Sequence, residues 1–303
     1  MAKNDLRLII QGGALSAAFS FMVFFNPILG SITSFFALLP IFYVGLCLGI
    51  RAFLFSCLIP LTGYLILLGF AGVIVFMFSL FLPTFIILHW HFFKEKNNYK
   101  FSSMDIVHKL SFYSLGLITL GFAYLKYTNS SIFEGLTKKI EVANSLAKMP
   151  LVSSSIIEIL PGVLSFFGLL MIWLNFQTAY AFALRTHKAI RKPTKKQNIF
   201  LPPVWDIAFV ASLWLIIANQ LFIESFLLNI FSRTVTCICA FPLLIDGLET
   251  IQLIAKAHKL PALSIVIFIM LTFLLVWPMI FIVMLGLIEP LCGIKKKYYS
   301  KFN

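Results

Sequence analysis

The chain has 303 residues, 60% of them apolar and only 12% charged, with 34 phenylalanines. That charged fraction, about half of the roughly 25% usual in soluble domains, leaves too little polar surface to keep such a chain dispersed and excludes a soluble globular fold. A net charge of +13 would point to nucleic acid in a soluble protein. Here the charge sits between apolar segments, where it orients helices and meets anionic lipid headgroups, and no nucleic-acid partner is expected.

The first apolar segment covers about 8–25, after Lys3 and Arg7, and closes at Asn26-Pro27. It has the charged start and apolar core of a signal peptide. The core is long, however, and no small-x-small site follows cleanly before Asn26, so a retained first helix is expected. Gly13 with Ala17 and Ala14 with Ala18 stripe this helix, and Gly45 with Gly49 marks the second segment, 31–50. Such stripes let helix backbones approach closely, within the chain or against a partner protein. The third and fourth segments, about 52–69 and 73–93, are split by "GFAG" at 69–72.

A charged stretch, 94–109, precedes a short fifth segment at 110–125. Residues 126–155 are the most polar part. Within them Ile132, Phe133, Leu136, Ile140, Ala143, Leu146 and Ala147 recur at helical spacing, which fits an amphipathic helix on the membrane surface or packed on the protein. The sixth segment, about 156–184, is too long for an upright span and must tilt or project. "RTHKAIRKPTKKQ" then carries six basic residues and no acid. The seventh covers about 204–222 and the eighth about 227–245, with 246–259 as an interfacial continuation. The ninth covers about 262–289 and contains Pro278.

An apolar run of about 20 residues spans a ~30 Å hydrocarbon core as a helix. The segments are apolar on all sides, which excludes the alternating strands of a membrane β-barrel. The expected fold is therefore all-α: a polytopic helical membrane protein of eight or nine transmembrane helices. It forms one domain over 1–303, with 126–155 as a polar connection and 185–203 as a basic cytoplasmic loop. With the N-terminus inside, fifteen Lys and Arg fall in cytoplasmic regions against four outside, all four in 126–155. This bias places the N-terminus in the cytoplasm of a bacterial inner membrane. The ending "IEPLCGIKKKYYSKFN" strains that count, because nine crossings would leave Lys295, Lys296 and Lys297 outside. A fold-back near Pro278, or a change of side within 110–155, returns them to the cytoplasmic face, where each gains about 1 kcal/mol from anionic lipid.

Few residues carry recognisable chemistry. Asn175, Gln177, Asn219 and Gln220 lie deep in apolar segments, where amides bond between helices or line a ligand cavity. Asp246 and Glu249 share one helix face and fit a cation, a basic partner, or interfacial acids beside Lys256. Arg233 lies within snorkelling distance of the outer interface. His89 and His91 point to opposite sides around Trp90, an aromatic belt rather than a metal site. Five cysteines give no disulfide framework, and Cys237 and Cys239 cannot easily share a metal. No phosphate-cradling glycine loop, HExxH or nucleophile–base set is present, so neither an enzyme nor a cofactor is expected.

The last hundred residues carry a resemblance. "LPPVWDIAFV" (201–210), "PLLIDGLETIQLIAKAHKLP" (242–261) and "WPMIFIVMLGLIEPLCGIKKK" (277–297), with the small-residue first helix, resemble the YybS-like family of uncharacterised polytopic bacterial membrane proteins. The resemblance covers about a third of the chain, and Gly286, Leu287, Glu289 and Lys295 match the pattern that closes the family's last helix. That family is distantly similar to the substrate-binding subunits of energy-coupling-factor transporters. The resemblance implies a small-molecule binding or uptake subunit that docks on a membrane coupling subunit through Gly13, Ala14, Ala17 and Ala18. Basic loops without deep charges point instead to a non-transporting scaffold or interaction protein. A reporter active only outside the cytoplasm, fused within 185–203, is expected to stay silent; activity there would reverse the orientation.

Overall fold

A computed structural model describes residues 3–96, 103–128, 135, 154–186, 201–275 and 277–299. Every regular element among them is helical: α1 (Lys3–Phe25), α2 (Pro27–Ser34), α3 (Leu39–Leu48), α4 (Ile50–Phe76), α5 (Leu82–Lys96), α6 (Ser103–Tyr127), α7 (Ser154–Arg185), α8 (Val204–Ala218), α9 (Phe226–Ala257), α10 (Ala262–Leu275), α11 (Trp277–Cys292) and α12 (Ile294–Tyr299). Seven helical stretches among the described residues are long and apolar enough to cross a membrane, so the all-α, multi-pass reading holds. The amphipathic helix expected at 132–149, Gly135 apart, and residues 187–200 of the basic loop expected at 185–203 lie outside the described residues. The chain forms two compact units, residues 1–110 with 170–197 and residues 111–169 with 198–303.

In the first unit the Asn26 side chain accepts from the N–H groups of Ile28 and Leu29, both at 3.1 Å, and starts α2 just before Pro27. α2 folds back along α1, and Thr33 Oγ1 donates to the Phe19 carbonyl at 3.4 Å. The second apolar segment is two helices rather than one. Pro40 has no N–H to give the Phe36 carbonyl, so Leu39 N takes that carbonyl at 3.1 Å and the chain turns through 35–38 before α3.

The apolar stretch Ile50–Phe93 has 44 residues, which would reach about 66 Å if straight, twice a hydrocarbon core. It bends at Gly69, whose φ of 64° and ψ of −154° belong to glycine almost alone. Ring pairs on either side show the chain doubling back. Tyr64 meets Phe76 at 5.3 Å and Phe53 meets Phe81 at 5.7 Å. The "GFAG" break therefore separates two arms of a helical hairpin. α1 runs alongside the first arm in the same direction: Ser56 Oγ donates to the Ile9 carbonyl at 3.1 Å, and Phe21 lies over Gly63.

α6 corrects the short fifth segment. The helix begins at Ser103, so Asp105, His108 and Lys109, read as part of a charged connection, form its first turns. Long side chains at a helix end reach the interface without shortening the span, and Lys109 Nζ lies 4.3 Å from the Trp90 ring centre. In the second unit α9 runs unbroken for 32 residues, joining the eighth segment to its interfacial continuation. The ninth segment is helical on both sides of residue 276, as α10 and α11 of 14 and 16 residues, and residue 276 lies outside the described residues.

Gly69→Ala is expected to lower stability by about 1–3 kcal/mol through backbone strain, although no heavy atom lies within 4 Å of its Cβ position. Gly116→Ala, in an open position on α6, is expected to be neutral or stabilising. Thermal unfolding of the purified variants compares the two.

Candidate functional site

The best-developed polar site begins with two glycines. A Cβ on Gly247 of α9 would fall 2.1 Å from the Ile282 carbonyl oxygen of α11, and one on Gly286 would fall 2.1 Å from the Leu243 carbonyl oxygen. Only glycine fits at either position, so the two backbones touch. The crossing carries Glu289, one turn beyond Gly286, into the interior, where it is 1% exposed.

α11 ends at Cys292, and Gly293 turns the chain with φ +59°, the left-handed conformation that commonly closes helices. α12 then starts under Glu289, whose Oε1 accepts the Lys295 backbone N–H at 3.0 Å. The Lys295 side chain turns inward. Its Nζ donates to Asp246 Oδ1 at 2.5 Å and lies 3.7 Å from Glu249 Oε2. Asp246 is 0% exposed and Lys295 2%. Asp206 of α8 has an Oδ1 that is buried without a hydrogen-bond partner. Asp246 Oδ2 is also buried without a partner. No group of three or more His, Cys, Asp or Glu among the described residues is disposed to hold a metal ion.

The tail expectation changes accordingly. Lys295 meets Asp246 rather than lipid, because the turn at Gly293 folds α12 back against α9; Lys296 and Lys297 remain exposed. The Tyr298 ring lies 6.3 Å from that of His258. The tail therefore sits at the end of α9 that leads into residues 256–259. Asp246 is about 30 Å along α9 from Phe226, the thickness of a hydrocarbon core.

A second polar cluster lies nearer the start of α9. Arg233 Nη1 pairs with Glu158 Oε2 of α7 at 3.0 Å, and Asn229 Nδ2 donates to the same oxygen at 2.8 Å. Arg233 Nε donates to Asn229 Oδ1 at 3.1 Å. Arg233 thus pairs with a carboxylate within its own unit.

The amides singled out in the sequence fall in both units. In the first, Asn175 Nδ2 donates to the Phe35 carbonyl at 2.6 Å and the Met171 carbonyl at 2.8 Å, which uses both of its N–H groups. Phe35 is where the α2–α3 turn leaves the α-helical bonding pattern. Gln177 borders a shallow open groove with Thr178, Ala181, Phe182 and Arg185. In the second unit Asn219 donates to the Ser225 carbonyl and accepts its N–H, at 3.2 and 3.1 Å, bracing the turn where Glu224 has φ 52°. Gln220 is exposed.

The small residues also divide. A Cβ on Gly13 would fall 2.5 Å from the Ser56 carbonyl oxygen, and one on Gly45 would fall 2.6 Å from Leu88 Cδ1, so both pack within the chain. Gly49 ends α3 with φ 90°. Ala17 is half-buried, while Ala14 and Ala18 are exposed. His89 is exposed between Phe85 and Phe93, and His91 is buried against Phe176 and Tyr180, on opposite sides as their spacing requires.

Comparison with protein-family models, with curated proteins and with solved structures finds no match.

Gly286→Val forces the Leu243 carbonyl away and is expected to cost about 2–3 kcal/mol or more. It should also loosen the tail, making Lys295 reactive toward an acylating reagent in the purified protein, read by mass spectrometry. An unaltered melting temperature with Lys295 still protected would contradict the packing described.

Proposed function

We propose that this is a multi-pass protein of a bacterial inner membrane, with its N-terminus and C-terminal tail in the cytoplasm, that binds or takes up a small molecule. Its working site on this reading is the carboxylate cluster around Asp246 rather than the amides at Asn175 and Asn219. One observation carries the proposal: a fully buried ion pair between Asp246 of the long apolar helix α9 and Lys295 of the tail, with a second Asp246 oxygen left without a hydrogen-bond partner. Ionisable groups inside spanning helices are costly, and they mark ligand and ion pathways. The resemblance to the YybS-like family lends support, since Gly286, Glu289 and Lys295, which carry it, are the residues that build this cluster.

Topology supports the same reading. With Ile50–Phe93 counted as two arms about Gly69, this reading takes the seven long apolar stretches as eight crossings. On this reading residues 262–292 begin and end on one side of the membrane and add no crossing. The contacts of the tail with Asp246 and His258 place it at the same end of α9 as residues 256–259. An even count then puts every strongly basic region inside, the three tail lysines included.

A non-transporting scaffold is the second reading. It is favoured by the backbone bonds that engage Asn175 and Asn219, and the exposed Ala14 and Ala18 leave a small-residue stripe on α1 for a partner such as a coupling subunit. Gentle purification followed by mass spectrometry of bound species separates the two. The proposal expects a small molecule that is lost in Asp246→Asn; a scaffold brings down proteins alone. For topology, Ser300→Cys in a Cys292→Ser background is expected to resist a membrane-impermeant thiol reagent until cells are lysed. Labelling of intact cells would place the tail outside.

A further inference from the structure

We propose that the pocket formed by Asp246, Glu249 and Glu289 is a primary-ammonium site, which the chain fills with its own Lys295 and which accepts an alkylammonium ligand in its place. The inference deepens the small-molecule reading above and rests on it for the ligand's role, while the site's chemistry stands on the geometry.

The observed occupant gives the ligand class. Of three consecutive lysines, Lys296 and Lys297 are exposed, and Lys295 alone is drawn inside. Its fit is incomplete. An ammonium carries three N–H donors, yet among the described residues only Asp246 Oδ1, at 2.5 Å, is within hydrogen-bond length, while Glu249 Oε2 stands 3.7 Å away. Glu289 Oε1 is bonded to the Lys295 backbone N–H rather than to the ammonium. Asp246, 0% exposed, keeps a second oxygen with no hydrogen-bond partner. That Asp246 oxygen is acceptor capacity the occupant does not use.

The attachment makes that occupant displaceable. Lys295 enters on a six-residue helix that follows Gly293, which has φ +59° and open space where a Cβ would stand. A glycine in that conformation changes direction at little steric cost. α12 can therefore withdraw while the Gly247–Gly286 crossing stays intact. The ligand that replaces it carries a primary ammonium on a slim aliphatic stem. A quaternary ammonium has no N–H for the carboxylates and is wider. Ligand and tail compete for one pocket, so tail docking reports whether the site is filled.

The test uses n-butylammonium, the size of a lysine side chain, on the full-length purified protein. In Lys295→Ala, 10 mM n-butylammonium is expected to raise the melting temperature by about 3 °C, the shift for a ligand at roughly ten times its dissociation constant. Tetramethylammonium at equal ionic strength should not do so, and Asp246→Asn added to Lys295→Ala should abolish the response. No shift, or equal shifts with both cations, overturns the proposal. Since loss of a buried partner threatens folding, a second arm keeps the pocket whole. A spin label on Ser300→Cys in the Cys292→Ser background should gain mobility with n-butylammonium and not with tetramethylammonium; unchanged mobility at saturation overturns displacement. A positive result without any co-purifying small molecule would keep the ammonium site and remove the uptake reading. A co-purifying ligand that lacks an amine, with no n-butylammonium response, would do the reverse.

Discussion

The touching backbones at Gly247 and Gly286 are the constraint on which the second unit depends. A methyl group at either position would overlap a main-chain oxygen of the other helix. This contact fixes where Glu289 enters, and Glu289 in turn fixes where α12 starts, because its carboxylate takes the Lys295 N–H. The ammonium then meets a deep acceptor, Asp246, next to the glycine that began the sequence of contacts. Burying either ion alone costs several kcal/mol, so the pair holds together only while the crossing keeps both partners in register.

The first unit solves a different problem, the backbone groups released where helices break inside an apolar environment. Each break has a local cause and a local remedy. Pro40 cannot bond Phe36, so Leu39 does, and the turn is steadied by Asn175 reaching the Phe35 carbonyl. Gly69 reverses the chain, and facing rings of Tyr64 and Phe76 and of Phe53 and Phe81 zip the two arms. The Asn26 side chain supplies the acceptor that begins α2. In lipid an unsatisfied amide or carbonyl is too costly to leave, which is why deep polar residues in this chain attend first to main-chain breaks.

Much of the fold was legible in the sequence because apolar length and glycine or proline punctuation are local signals. The breaks at Asn26-Pro27 and at Gly69 could be read directly, and so could the continuation of α9 through Asp246. The fifth segment was drawn short because Asp105 and Lys109 look like a connection until the helix end that carries them is seen. The site was only half legible. Asp246 and Glu249 share a face and suit a basic partner, but the partner lies nearly fifty residues away and reaches them through a glycine turn. One available signal was Gly247 beside Asp246 and Gly286 three residues before Glu289, a small residue next to each buried acid. The pairing of Glu158 with Arg233 had no such mark, since each looks like an ordinary helix-end charge until α7 and α9 are placed together.

The most direct test of the central claim, that Asp246 and Lys295 hold the tail against α9, is a charge exchange followed by thermal unfolding in detergent. Asp246→Lys and Lys295→Asp each bring like charges together in a buried site. Each should destabilise the protein strongly, by about 3–5 kcal/mol. The double exchange restores opposite charges, and the account predicts recovery of at least about 2 kcal/mol relative to the sum of the single losses. If the two losses simply add, the ion pair is not what fixes the tail, and the account fails at its centre.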